Sequence, residues 1–127
     1  DYPLRDVYKI QQQPLLPPSN PTVYAFVDEP AMFPGGEVAL KEFIANNLQY
    51  PEYAKETGIE GKCYIKFIVS ETGKCSDFTV LRGISGCRDC DKEALRVLKL
   101  MPDWIPGKLN GEPVRSYYNL PVKFSLD

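Results

Sequence analysis

The stretch VRSYYNLPVKFSL, Val114 to Leu126, alternates apolar and polar residues with a period of two. Val114, Tyr118, Leu120, Val122, Phe124 and Leu126 share one face, which only Ser116 interrupts. Arg115, Tyr117, Asn119, Pro121, Lys123 and Ser125 share the other. This is the pattern of a long β-strand with one face on a core and one in water. Pro121 lies inside it and has no N–H to donate to a ladder, so the strand is expected at a sheet edge. A long edge is either covered or used to recruit another strand.

Working outward from that strand, two further β segments precede it. Lys62 to Ser70 and Cys75 to Arg82 read as a hairpin around Thr72-Gly73. Pairing Glu71 with Lys74 sets Val69 against Ser76, Phe67 against Phe78 and Ile65 against Val80, and the apolar faces then coincide. A helix from about Asp91 to Met101 follows, with Ala94, Leu95, Leu98 and Met101 at helical spacing, Asp89 or Asp91 as cap and Pro102 as stop. Asn110-Gly111 turns the chain into the last strand.

Ahead of the hairpin, Glu37 to Leu48 reads as a helix with Leu40, Phe43, Ile44, Asn47 and Leu48 on one face. Pro51 opens a short second helix that Gly58 is placed to end. Val23 to Asp28 is a candidate extra strand, and the Pro-Gly-Gly turn at 34–36 follows it. The order helix, helix, strand, strand, helix, strand gives an α+β fold. Its three-stranded antiparallel sheet has strand order 2-1-3, with helices packed on one face. The last strand then lies on an edge, as Pro121 also implies.

Residues 1–22 carry five of the twelve prolines and a Gln11-Gln12-Gln13 run. They are expected to form a Pro-rich linker or arm ahead of a single domain over 23–127. Alternatively, Tyr2, Leu4, Val7, Tyr8 and Ile10 make them a strap packed along the domain. A chain beginning at Asp1 reads as a mature or truncated product whose targeting segment lies upstream.

Composition excludes several functions. The absence of histidine removes Ser-His-Asp and Cys-His catalysis, His-ligated metal and a histidine pH switch. A net charge of −2 gives no footprint for nucleic acid. Phe33-Pro-Gly-Gly36 lacks the Lys-Ser/Thr of a phosphate loop, and no carboxylate pair stands out as acid and base. The four cysteines are compatible with an oxidising compartment. Cys87 and Cys90 precede a helix and read as a local disulfide or as two free thiols; a thioredoxin-type context for exchange is missing. Cys63 and Cys75 fall at opposite ends of the hairpin, roughly 20 Å apart, which argues against a four-cysteine zinc site. Trp104, between Pro102 and Pro106, reads as a core anchor. No enzymatic activity and no cofactor are expected.

Several motifs then occur in a recognisable order. Tyr50-Pro-Glu-Tyr-Ala54 and Gly58-Ile-Glu-Gly-Lys62 are followed by Phe67-Ile-Val69, Thr72-Gly73 and Val80-Leu-Arg-Gly83. After them come Asp91-Lys-Glu-Ala-Leu-Arg96, Met101-Pro102, Trp104, Pro106-Gly-Lys108, Gly111-Glu-Pro-Val114 and Leu120-Pro-Val-Lys-Phe124. Over residues 24–127 the chain resembles the TonB carboxy-terminal domain family. Val27 to Gly36 resembles the form common in Bacteroidetes.

The resemblance implies a periplasmic adaptor that couples inner-membrane energy to transport. It would capture the "TonB box" of TonB-dependent outer-membrane transporters by strand addition to the last strand. The residues implied are Val114, Arg115, Ser116, Tyr117, Tyr118 and Asn119, with Gln49, Tyr50 and Pro51 helping at one end. It also implies an inner-membrane proton-channel complex as a second partner, reached through an N-terminal membrane tether upstream of this chain. The alternative is a structural or sensory periplasmic module of a lipoprotein or membrane sensor-peptidase, a homodimer through the edge strand being one form of it.

Overall fold

The computed structural model describes residues 22–126. Most of the proline-rich arm expected over 1–22 lies outside the described residues, so neither the linker nor the strap reading is addressed. Three helices, α1 (Gly36–Asn47), α2 (Glu52–Thr57) and α3 (Arg88–Leu98), combine with five strands: β1 (Gly61–Val69), β2 (Cys75–Arg82), β3 (Lys108–Leu109), β4 (Glu112–Pro113) and β5 (Ser116–Phe124). No helix among the described residues is long and apolar enough to cross a membrane.

The main sheet has the order β2-β1-β5, both pairings antiparallel, as the element order implied. β5 pairs with β1 without a register break from Gly61↔Phe124 to Val69↔Ser116. β2 pairs with β1 less regularly. Ile65↔Val80 matches the expected register, but Val69 meets Cys75 and Tyr64 meets Arg82. The sequence reading assumed an uninterrupted ladder; two extra residues on β2 break it. One is Asp77, whose φ of 56° puts it in the left-handed region that a short polar side chain tolerates.

Ser70 closes the hairpin. Its hydroxyl accepts from the amides of Thr72 and Lys74, and its amide donates to the Lys74 carbonyl at 2.8 Å. Gly73 has a φ of 89°, and a Cβ there would stand 2.0 Å from the Trp104 carbonyl oxygen. The Trp104 amide donates to the Gly73 carbonyl, so the hairpin tip is held against the loop after α3. Trp104 is indeed a core anchor, packed edge-on against Phe33, Phe67 and Tyr118.

α2 follows its sequence signals: Pro51 precedes it, and Gly58 ends it in the left-handed conformation at φ 73°. α3 starts three residues earlier than the Asp91 expected. Its N-cap is Cys87, whose sulfur accepts from the Cys90 amide, while Asp91 turns its carboxylate to the Ile84 amide at 3.0 Å. β3 and β4 form a small hairpin around Asn110-Gly111, with φ of 54° and 81°. The Asn-Gly pair is a strong signal for such a turn.

Candidate functional site

Which backbone groups of β5 face its free edge is settled by one contact. The segment before α1 meets β5 in a single parallel bridge, Tyr24↔Ser116. The Tyr24 amide donates to the Arg115 carbonyl at 2.9 Å, and the Tyr117 amide donates to the Tyr24 carbonyl at 3.0 Å. Arg115 and Tyr117 therefore direct their backbone groups away from β1. Because the β1–β5 register is unbroken, alternation gives Asn119, Pro121 and Lys123 the same outward orientation. The nitrogen of Pro121 thus faces the edge and removes one donor there, without loss to the β1–β5 ladder.

The chain's own residues already occupy part of this edge. After Tyr24 the segment leaves β5; Glu29 pairs with Lys108 and Met32 with Ile105. The Val23 to Asp28 candidate strand is thus one bridge followed by a strap. Ser116, the polar interruption on the apolar face, is buried at 2% exposure, with its oxygen 2.9 Å from where a Cβ on Gly107 would stand. Only a small side chain fits there. From Asn119 to Lys123 the edge has no strand beside it among the described residues.

The residues singled out from the sequence fall into two groups. Arg115, Ser116 and Tyr117 lie where Tyr24 is paired, with Val114 just before the strand and Tyr118 turned half-buried into the core. Asn119 is exposed at the start of the open stretch. Gln49, Tyr50 and Pro51 lie at the far end of β5, where the Tyr50 ring meets Phe124 edge-on at 5.6 Å. Ser116 and Phe124 are roughly 26 Å apart at about 3.3 Å per residue. The two groups are therefore not brought together at one point; a partner touching both must run along the whole edge.

Local contacts fix the Gln49–Pro51 segment. The Gln49 amide donates to Glu93 Oε2 at 2.6 Å, and Arg96 donates to the Asn47 carbonyl at 2.8 Å. The same Arg96 guanidinium bonds Glu93 and holds its carboxyl below the usual carboxylate range. The Tyr50 hydroxyl donates to the Ile59 carbonyl. An open polar cleft of about 450 Å³ lies here, between Gln49–Pro51 and Lys92, Glu93 and Arg96 of α3.

A second groove was not visible in the sequence. It runs between α1 and the open stretch of β5, holds about 610 Å³, and is the more apolar of the two. Ile44 and Ala45 line it from α1, Leu48 from just past the end of that helix, and Pro121 and Lys123 from β5. The sequence pattern puts Ile44 and Leu48 on the apolar face of this helix and Lys41 largely opposite, yet all three line the groove. That these residues would stand beside the strand edge was not legible.

The cysteines belong elsewhere. Cys87 and Cys90 are joined by a disulfide, and both are buried, at 3% and 0% exposure. A thiol from another molecule cannot reach either sulfur, which leaves no geometry for exchange. Cys63 is buried on β1 opposite Val122, and Cys75 sits beside the hairpin turn. Burial pushes both thiols up to about 12, with Asp91 adding to the shift at Cys63 and Asp103 at Cys75. Neither is a nucleophile at neutral pH.

The family described as Gram-negative bacterial TonB protein C-terminal matches residues 46–126. No curated protein sequence matches the chain. Among solved structures, two solution structures of the Helicobacter pylori TonB C-terminal domain, differing in length, share the fold. One has a TM-score of 0.55 at 22% identity, covering 71% of this chain and 92% of the other. The second has a TM-score of 0.53 at 20% identity, covering 71% and 79%.

Proposed function

The chain belongs to the TonB C-terminal domain family, a family of non-enzymatic periplasmic interaction domains, and from that premise we propose that it captures an extended TonB-box segment of an outer-membrane transporter on the free edge of β5. The observation that carries this reading is the open stretch from Asn119 to Lys123. Its outward amides at Asn119 and Lys123, and its outward carbonyls from Tyr117 to Lys123, have no strand beside them among the described residues. An added strand would satisfy them. Each ladder bond contributes roughly 1 kcal/mol net, and ordering the peptide offsets part of that. The affinity expected of so short a ladder is modest.

In this reading residues 23–127 are the binding domain and 1–22 a proline-rich connector towards an inner-membrane tether and its proton-channel complex. Force reaches the captured segment through main-chain bonds, and no chemistry occurs in the domain. Gln49 to Pro51 would meet the end of the captured segment beyond Lys123. Titrating a TonB-box peptide while following backbone amides tests the proposal. Shifts should concentrate at Asn119 to Lys123; their absence at millimolar peptide would sink it.

The Tyr24 bridge favours a second reading, in which the domain covers its own edge and serves as a structural or sensory module. Replacing Tyr24 with proline removes the amide that bonds Arg115. If sedimentation then shows a new dimer and peptide affinity is unchanged, the strap protects the edge from self-association and this second reading is preferred.

A further inference from the structure

Three lysines and one glutamate line the groove between α1 and β5. Lys62 and Lys123 are register partners on adjacent strands. Even-numbered residues of β5 turn their backbone groups to β1, so this is a non-hydrogen-bonded pair, the type that brings side chains closest. Like charges directly opposite on a sheet are unfavourable. Neither lysine has a carboxylate within ion-pair distance among the described residues. Glu60, which lines an adjoining depression with both of them, instead accepts from the Leu126 amide at 3.3 Å. Across the groove Lys41 adds a third cation, against the single carboxylate of Glu37. In a chain of net charge −2, this is a local inversion of sign.

The apolar part of the groove is equally local. Ile44 and Leu48 pack partly on the core and also line the groove, beside Ala45 and opposite Pro121. A strand added to β5 would lie about 4.8 Å from it, in the gap that α1 walls on the other side. Alternate side chains of such a strand point to opposite faces, so one set would meet α1 and the other would project over the lysine-bearing face of the sheet. α1 contributes this wall almost entirely from residues ahead of the family match at 46–126.

We propose that α1 is the second wall of the capture groove and that the groove selects an acidic extended peptide. An apolar side chain of the guest rests on Ile44, Ala45 and Leu48, and a carboxylate sits among Lys41, Lys62 and Lys123. This rests on the strand-capture reading and adds to it the chemistry of the guest.

The test uses capped heptapeptides alternating valine and threonine, with glutamate, glutamine or lysine at the centre. The glutamate peptide is expected to bind about fivefold tighter than the glutamine peptide at low salt, and the lysine peptide more weakly than both. The advantage should shrink at high salt and vanish in the Lys62→Gln/Lys123→Gln double variant, whose changes lie on the exposed sheet face. Amides of Ile44 to Leu48 should shift together with those of Asn119 to Lys123. Equal affinities for the glutamate and glutamine peptides, or shifts confined to β5, overturn the acidic-guest inference while leaving strand capture intact. If no peptide moves Asn119 to Lys123, strand capture fails and this inference falls with it.

Discussion

β2 and β5 are both edge strands of the same sheet, and they differ in how they present their backbone. β2 carries both irregularities of its pairing with β1, one of them at Asp77 in the left-handed region. A bulged edge twists away from an incoming strand and cannot hold a continuous ladder. β5 runs in unbroken register for its whole length, and its one imperfection, Pro121, removes a single outward donor. One edge is closed by distortion; the other is kept straight, bridged at one end by Tyr24 and, among the described residues, left open at the other. Of the two main-sheet edges among the described residues, the C-terminal half of β5 is the one that suits the strand addition proposed above.

The largest expected perturbation is on the bulged side. Gly73→Val introduces a Cβ at a position with φ of 89° and against the Trp104 carbonyl, which should cost about 3 kcal/mol or more. Chemical denaturation would measure it, and hydrogen exchange should show β2 opening before β5. Equal loss of protection on both strands would break the distinction between the edges.

Next in size is an alkaline effect centred on β1, the strand between the two edges. Burial raises the Cys63 thiol from near 9 up to about 12. The fold thus favours the neutral thiol, so its contribution is complete below about pH 9 and is lost as the pH climbs towards 12. Tyr50 and Tyr118, whose hydroxyls burial also shifts upward, act in the same direction. Unfolding free energy should fall over that window, and Cys63→Val should flatten the slope. An unchanged slope would show that the tyrosines or Cys75 dominate.

Pro121→Ala restores the missing outward donor. Peptide affinity should rise about fivefold, the equivalent of one ladder bond, with stability nearly unchanged. No gain would mean that a bound strand does not extend past this residue. The smallest effect is expected at Glu93→Gln, which weakens the ties to Arg96 and the Gln49 amide. About 0.5–1 kcal/mol of stability should be lost, with faster exchange at Gln49 and no change on β2.

Much of the fold was legible because the signals are local. Pro51 and Gly58 bound α2, the alternation in Val114 to Leu126 predicts β5 and its buried face, and the hairpin apolar match at Ile65↔Val80 is present. The start of α3 was missed because a cysteine is an unusual cap and the nearby aspartates are the usual ones. Here Asp91 is committed to the Ile84 amide instead. The candidate site was half legible. Its strand could be named, but the open residues within it could not, since Tyr24 lies more than ninety residues from the strand it bridges.

By itself the sequence determined the three strands of the main sheet, which face of β5 is buried, and that a proline must sit at an edge. Those follow from side-chain periodicity and from the missing proline N–H, properties a residue carries wherever it is placed. Tertiary structure alone decided that the Pro121 nitrogen faces outward, that Tyr24 occupies one end of the edge, that β2 is bulged, and that α1 walls the other end beside Lys62 and Lys123. Each depends on which distant segment pairs with which, and pairing register is a property of two strands together.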